Sequence, residues 1–369
     1  MTSEKYYNPV EIIHSNDWAK SCRLQQDKLN IQRPLIITTQ GNLDRLGVAA
    51  IFPESVIYSG VKPNPTLASC QDAIEYCLKY NSFDGIVALG GGSAMDTAKC
   101  VMAAFATGKY QLAELLNTDH PYTNHLPSIF IPTTHGTASE VTMWGTVWDM
   151  EAKVKYSLSH TALYPATAIL DPNLTLTLSL NISLTTTLDA LSHSFEAIWN
   201  KKRNVTSTSF AIQAIVSILG SVPQLKENPD NLEIRSNLLT ASTTAGLAFS
   251  QTRTAAAHSI SYPLTMYYDI PHGIAASISI IPLLTINGPL IKDALELLYS
   301  QSRLKGMTEL QSKIRDIPGS VLNYRLRDWG IPIDQLNWLA AQCFTKGRME
   351  NNIVDLSLSQ IQDILEEIY

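Results

Sequence analysis

The feature that most constrains this chain is the junction FDGIVALGGGSAMDTAK at residues 83–99, where a β-branched, apolar run ends in three glycines and turns straight into a helical pattern. A strand feeding a helix through a glycine turn is the repeating unit of a doubly wound parallel sheet. The neighbouring segments repeat the theme. RPLIITT (33–39), SVIYSG (55–60) and SIFIPTT (128–134) read as strands, and TLASCQDAIEYCLKYN and SAMDTAKCVMAAFATG carry helical periodicity. Continuous apolar runs bounded by turn residues fit a sheet covered on both faces. VTMWGTVWD, AKVKYSLS and ATAILDP then read as antiparallel strands, and after about Leu174 the strand pattern stops. LNISLTTTLDALSHSFEAIWNKK, STSFAIQAIVSILGSV, LEIRSNLLTASTTAGLAFS and LSQIQDILEEIY all read as helices. The expected architecture is an α/β domain with a doubly wound, mostly parallel sheet over residues 1–175, followed by an all-helical domain over residues 176–369.

With 369 residues the chain exceeds what a single core usually organises, which agrees with two domains. A net charge of −6 gives no electrostatic reason to expect nucleic acid or an anionic membrane as partner. Five cysteines without a CxxC pair read as reduced structural thiols of a cytoplasmic protein, and MTSEKYYNPVEIIH lacks the pattern of a signal peptide. The most apolar run, GIAASISIIPLLTI (273–286), is shorter than a membrane span and holds serines and a proline, so it reads as a buried helix.

In GGGSAMDTAK, Gly90, Gly91 and Gly92 let the backbone approach a ligand closely, and amides at a helix start favour a phosphate. Ser93 and Asp96 have the S-x-x-D spacing of a capping box, and both roles are compatible. IPTTHGTASE (131–140) places Thr133, Thr134, Thr137 and Ser139 after the next strand, as a loop that hydrogen-bonds a nucleotide or as an ordinary hydroxyl-rich turn. In DALSHSFEAIW (189–199), Asp189 and His193 are i, i+4 on one helix face and either bond each other or meet one ion. Phe195 and Trp199 are a core pair. His258 and His272 lie in RTAAAHSISYPLTMYYDIPHG, where a buried imidazole is either a hydrogen-bonded core group or a ligand. Taken with Asp189 and His193 they make an N/O ligand set suited to Fe(II) or Zn(II), with a position open for substrate.

With these motifs assembled, the chain resembles the iron-containing (group III) alcohol dehydrogenase family from about Arg33 through the helical half. The resemblance implies a nucleotide-binding α/β domain, a metal- and substrate-binding helical domain as in dehydroquinate synthase-like folds, an NADH or NADPH cofactor, and a homodimer. It makes GGGSAMDTAK the pyrophosphate loop and IPTTHGTASEVT the counterpart of PTTAGTGSE. It places Lys155, in AKVKYS, beside the cofactor, and Asp189, His193, His258 and His272 as the metal ligands, the last in the PHG signature. Thr39 stands where the family commonly has an acidic residue for the ribose 2′-hydroxyl, so a 2′-phosphate meets no repulsion. His135 and Ala138 stand where alanine and glycine are usual. Tyr262 replaces the second histidine of HxxxHPLG, and either Tyr262 or a water and ribose-hydroxyl relay delivers the proton.

RTAAAH, SYPLT and AIWNKKRN are similar to a smaller branch, the phosphonoacetaldehyde reductases or 2-hydroxyethylphosphonate dehydrogenases. Arg253, five residues before His258, then suits a phosphonate dianion, or else joins two helices by a salt bridge. Lys201, Lys202 and Arg203 read as a solvated helix end. The expected activity is reversible hydride transfer between a nicotinamide and a small aldehyde bearing a phosphonate. The rival readings are an iron-containing dehydrogenase of small neutral alcohols, a dehydroquinate synthase-like lyase, whose metal sites resemble Glu/His/His, and a non-catalytic metal- or nucleotide-binding protein.

Overall fold

A computed structural model of the protein describes residues 5–80, 82–117 and 120–369. Its strands are β1 (Glu11–His14), β2 (Pro34–Thr38), β3 (Val56–Tyr58), β4 (Gly85–Gly90), β5 (Ser128–Pro132), β6 (Trp144–Asp149), β7 (Val154–Ser159) and β8 (Thr167–Leu170). The helices of the first half are α1 (Trp18–Lys28), α2 (Gln40–Arg45), α3 (Val48–Ile51), α4 (Leu67–Lys79), α5 (Gly92–Thr107) and α6 (Leu112–Asn117). Those of the second are α7 (Leu180–Ile198), α8 (Val205–Glu227), α9 (Leu232–Thr252), α10 (Ala256–Tyr268), α11 (His272–Ser277), α12 (Ile280–Asn287), α13 (Lys292–Ser302), α14 (Met307–Asp316), α15 (Leu336–Gln342) and α16 (Leu358–Glu367).

Six strands form a parallel sheet in the order β1-β8-β5-β4-β2-β3, while β6 and β7 pair as an antiparallel ribbon. Strands β2, β4 and β5 are buried at every residue. The period of two explains why: Leu35, Ile37, Ile86 and Ala88 pack with α4 and α5, whereas Ile36, Val87 and Leu89 pack with α1 and α3 on the opposite face. All five cysteines are buried free thiols.

Two expectations change and one strand is added. Residues 167–170 are not antiparallel: β8 lies parallel between β5 and β1, and its fully buried TAIL run is the pattern of a strand covered on both faces. Strand β1 carries no comparable signal, because as an edge strand it exposes Glu11 and His14. The 273–286 run is two helices. A continuous helix would need the N–H of Pro282 to reach the carbonyl of Ile278, and proline has none, so the chain restarts at α12 after Ile278 and Ser279.

Two compact units result. The α/β unit comprises Pro9–Thr134 and Ala138–Thr175, and the helical unit comprises Leu176–Tyr369 with His135–Thr137 and residues 5–8. The N-terminal residues thus leave the 1–175 domain that the strand pattern assigned them. Tyr6 explains the exchange: its hydroxyl donates to the Leu247 carbonyl at 3.0 Å and its ring lies 5.6 Å from that of Phe210. Within the helical unit, α8 and the 272–290 stretch are long and apolar enough to cross a membrane by composition. Here α8 packs on α7, α9 and α13, and α11 packs on α7 and α10. Helix α7 is buried from Thr187 to its end, including Asp189, Ser192, His193, Ser194 and Glu196. Polar groups so placed need partners or a ligand.

Candidate functional site

The polar residues of α7 converge with α10 and α11. The Asp189 Oδ1 atom lies 3.5 Å from His258 Nε2, 3.9 Å from His193 Nε2 and 3.9 Å from His272 Nε2. These separations are too long for hydrogen bonds. Atoms about 2.1 Å from a common ion at tetrahedral angles lie about 3.4 Å apart, so the spacing fits ligands that share a metal. Asp189 Oδ1 and His258 Nε2 are buried and have no hydrogen-bond partner among the described residues, which is the condition a cation would relieve. His193 stacks on Phe249 at 4.0 Å and on His258 at 4.6 Å, which fixes its ring plane. The side chain of His272 is 24% exposed against 7% or less for the other three, so the cluster opens on the His272 side.

Close backbone packing brings His272 there. A Cβ on Gly273 would sit 2.1 Å from the carbonyl oxygen of Thr185, so only glycine lets α11 lie this close to α7. Ser192 on α7 adds a 2.6 Å hydrogen bond to the Ala276 carbonyl.

Glu196, one further turn along α7, was not singled out in the sequence, yet it organises the cluster. Its Oε1 accepts from the amides of Ala255 (2.9 Å) and His258 (3.0 Å), and its Oε2 lies 2.5 Å from His258 Nδ1. With its Nδ1 turned to Glu196, His258 directs Nε2 toward Asp189, the arrangement in which a carboxylate orients a metal-binding imidazole. Burial disfavours charge on His258, but Glu196 and Asp189 outweigh it and push its pKa up to about 10. Burial likewise opposes the charge of Asp189, yet His193, His258 and His272 hold its carboxyl well below the usual carboxylate range. For His193 burial prevails over Asp189 and lowers the pKa to about 4, leaving a neutral ligand. Two buried carboxylates thus face a neutral His193 and a His258 that holds its proton in their field, and a divalent cation in place of that proton would balance the carboxylate charge.

The glycine loop lies at the C-terminal end of β4, beside that of β2, where Thr38 Oγ1 donates to the Leu89 carbonyl at 2.7 Å. Gly91 is the N-cap of α5 and no side chain caps it. The Ser93–Asp96 capping box is therefore not formed. Asp96 instead accepts from Ser139 Oγ at 2.9 Å, because the fully buried Lys99 has drawn the 139–144 segment onto α5. Lys99 Nζ donates to the Ser139 carbonyl and hydroxyl, the Thr142 hydroxyl and the Trp144 carbonyl, all within 2.7–3.1 Å. Burial lowers its pKa to about 8 in spite of Asp96 and Glu140.

Gly90 and Gly91 are small for packing: a Cβ on Gly90 would meet Ala94 at 2.7 Å and one on Gly91 would meet Thr134 at 3.1 Å. The Thr133 amide bonds the Gly90 carbonyl at 3.0 Å. Thr39 caps α2 by accepting from the Asn42 amide at 3.2 Å. Lys155 on β7 places its Nζ 5.0 Å over the ring of Trp148 and within electrostatic reach of Asp96. Gly92 and Ser93 form the first turn of α5. Thr137, by contrast, belongs with His135 to the helical unit, where His135 Nδ1 lies 3.1 Å from the Thr187 hydroxyl. Ala138 takes a left-handed conformation (φ 50, ψ 30), which explains the glycine usual at that position.

Arg253 ends α9 with φ 65 and ψ −179, a backbone region that costs a residue other than glycine about 1–3 kcal/mol. Burial, and then the charge of Arg348, lower its pKa. Arg348 Nε donates to the Tyr262 hydroxyl at 3.3 Å, and Tyr262 follows His258 by one turn of α10. No sequence signal had pointed to Arg348. Lys201 pairs with Asp355, and Arg203 lies 3.9 Å from Asp293, so this helix end is a structural surface as expected.

The chain is similar to known proteins over both of its halves. Residues 9–172 match the family model "iron-containing alcohol dehydrogenase", and residues 183–369 match "Fe-containing alcohol dehydrogenase family, C-terminal". A choline dehydrogenase of Bacillus subtilis is 29% identical over 289 residues, covering 76% of this chain and 71% of that protein. A 1,3-propanediol dehydrogenase of Citrobacter freundii is 35% identical over 224 residues, 60% of this chain and 57% of that protein. Among solved structures, the sulfoacetaldehyde reductase of Bifidobacterium kashiwanohense in complex with NAD+ superposes with a TM-score of 0.91 at 25% identity, covering 100% of this chain and 99% of that one. A 1,3-propanediol oxidoreductase reaches 0.88 at 26% identity with both chains fully covered. Both halves match in order and the ligand cluster sits in the half matched to the C-terminal model, so the chain belongs to the iron-containing alcohol dehydrogenase family.

Proposed function

We propose that the protein is a metal-dependent, nicotinamide-linked oxidoreductase that interconverts a short aldehyde bearing an oxyanion group with its primary alcohol. Phosphonoacetaldehyde and 2-hydroxyethylphosphonate are the pair that RTAAAH, SYPLT and AIWNKKRN favour. The observation that carries the reaction class is the approach of His193, His258 and His272 to Asp189, with the ligand atoms of Asp189, His258 and His272 all within 4.8 Å of one another. When bound there, a divalent metal supplies a Lewis acid that polarises a carbonyl oxygen. Glu196 keeps His258 in the tautomer that can serve such an ion. Gly90, Gly91 and the first turn of α5 would take the cofactor's pyrophosphate, with Thr39, Thr133, Thr134, Thr137 and Lys155 as further cofactor contacts. Hydride delivered to the carbonyl carbon requires a proton at the oxygen. Tyr262 can donate it, since the Arg348 guanidinium on its hydroxyl stabilises the phenolate left behind.

The substrate reading rests on Arg253, which ends α9 with a strained backbone three residues before α10, the helix that carries His258. It is supported by the likeness to a reductase of sulfoacetaldehyde, another anionic two-carbon aldehyde. The 1,3-propanediol dehydrogenases, up to 35% identical, favour a neutral substrate instead. Consumption of NADPH and NADH should therefore be followed with phosphonoacetaldehyde, sulfoacetaldehyde and propanal, with metal analysis of the same sample. Turnover fastest on the anionic aldehydes is expected. Equal or faster turnover of propanal would overturn the substrate class, and turnover by a preparation stripped of metal would overturn the mechanism.

A further inference from the structure

We propose that Arg348 and Arg253 form a two-arginine clamp for the oxyanion group of the substrate, set beside Tyr262 and one turn along α10 from His258. The inference rests on the anionic-aldehyde reading above and adds the second residue that would select for it. Its geometry comes from a single buried amide: Asn351 Nδ2 donates to the Thr254 carbonyl at 2.8 Å and to the Gly347 carbonyl at 3.0 Å. Those carbonyls belong to the residue after Arg253 and the residue before Arg348, so one side chain stitches the two arginine-bearing segments together. Asn200 adds a 3.2 Å bond to the carbonyl of Arg253 itself. The scaffold is tied to the ligand cluster as well, since Glu196 accepts from Ala255 and from His258 with the same oxygen.

The electrostatics point the same way. Arg253 and Arg348 are each partly exposed, so neither is sealed in the core, and their charges lie near enough for Arg348 to disfavour the charge on Arg253. Two like charges in a partly dry setting repel, and an anion received between them relieves both. Each guanidinium presents a planar fork of donors that matches two oxygens of a tetrahedral oxyanion. Arg348 already spends Nε on Tyr262 and Nη1 on the Gly347 carbonyl, contacts that fix the plane of its fork. Along α10, four residues from His258 to Tyr262 advance about 6 Å, a span that a two-carbon aldehyde with a terminal oxyanion can bridge. Two positive groups suit a phosphonate dianion better than a sulfonate monoanion.

The test compares kcat/KM for phosphonoacetaldehyde, sulfoacetaldehyde and propanal in wild type, Arg348→Gln, Arg348→Lys and Arg253→Gln, with 2-hydroxyethylphosphonate also tried as an inhibitor of propanal reduction. The ratio of anionic to neutral kcat/KM should fall about 30-fold or more in Arg348→Gln, the loss of one buried charge-assisted contact. Inhibition by 2-hydroxyethylphosphonate should weaken in parallel, a change that a merely structural role would not single out. A steeper loss for the phosphonate than for the sulfonate supports the dianion. If wild type prefers the anionic aldehydes and Arg253→Gln abolishes that preference while Arg348→Gln keeps it, the clamp is refuted and the substrate reading stands. If wild type shows no such preference, the substrate reading fails and the clamp with it. Should Arg348→Gln not fold, Arg348→Lys, which keeps the charge and loses the fork, must still lower the ratio; an unchanged ratio refutes the clamp.

Discussion

Replacing Glu196 with glutamine tests whether this carboxylate positions a metal ligand or merely caps α10. The two amide bonds, from Ala255 and His258 to Oε1, survive the change, because the glutamine carbonyl oxygen can accept both. What inverts is the contact at His258 Nδ1. A carboxylate there accepts the Nδ1 proton, whereas an amide nitrogen donates, which drives the proton to Nε2 and blocks the atom that faces Asp189. The lost bond is charge-assisted and buried, worth about 1.5–3 kcal/mol, or about 10- to 150-fold in an affinity. The perturbed imidazole should therefore weaken Co(II) or Zn(II) binding by about 10- to 100-fold while α7 and α10 remain folded. Chelator competition measures the affinity, the visible spectrum of bound Co(II) reports the ligand field, and a thermal melt reports the fold. An unchanged affinity and an unchanged Co(II) spectrum in Glu196→Gln would refute the positioning role.

Gly273→Ala should lower metal affinity at least about 10-fold or destabilise the helical unit by about 1–3 kcal/mol, because the new Cβ falls 2.1 Å from a backbone oxygen that cannot yield; wild-type values in both metal titration and urea unfolding would contradict the close packing. Ala138→Gly should stabilise the protein by up to about 1 kcal/mol in urea unfolding, the left-handed cost of alanine less the greater flexibility of unfolded glycine, and a loss of stability would count against the argument. His135 is buried with its pKa lowered to about 4, first by desolvation and then by Arg235, against 6.5 in the unfolded chain. The unfolded state therefore binds more protons in that window, and the contribution of a neutral His135, complete above pH 6.5, is lost towards pH 4 at up to about 1.4 kcal/mol per pH unit. The stability difference between wild type and His135→Ala should shift against wild type on acidification, and a difference independent of pH would show that His135 does not titrate.

The central sheet was legible because its strands are buried on both faces, which leaves uninterrupted apolar runs at residues 34–38, 85–90 and 128–132. The same runs say nothing of strand direction. Residues 167–170 follow a ribbon of two antiparallel strands, and their parallel pairing to β5 and β1 is a tertiary fact. Strand β1 and the helical attachment of Tyr6 were illegible for a related reason: an exposed edge carries no periodic apolar pattern, and one aromatic ring near a terminus does not announce what it packs on.

At the site, legibility followed burial and sequence distance. Asp189, His193, His258 and His272 stood out because ligand-type side chains are conspicuous in helices with almost no other charge. Glu196 stands on the same face as Asp189, seven residues on, and a second acidic group on a helix with no other acidic, lysine or arginine residue was the available signal. Spacing alone also misled: Ser93 and Asp96 are correctly placed for a local cap, but the local bond yields to a tertiary one once Lys99 buries its ammonium among the oxygens of Ser139, Thr142 and Trp144. Tyr262 shows the limit most clearly. Its departure from the family's histidine marked it as informative, yet what a phenol can do there depends on the guanidinium it meets, and Arg348 arrives from 86 residues further along the chain. No periodicity connects the two positions. The chemistry of Tyr262 is therefore set jointly with Arg348, and a substitution at either should be judged by its effect on the other.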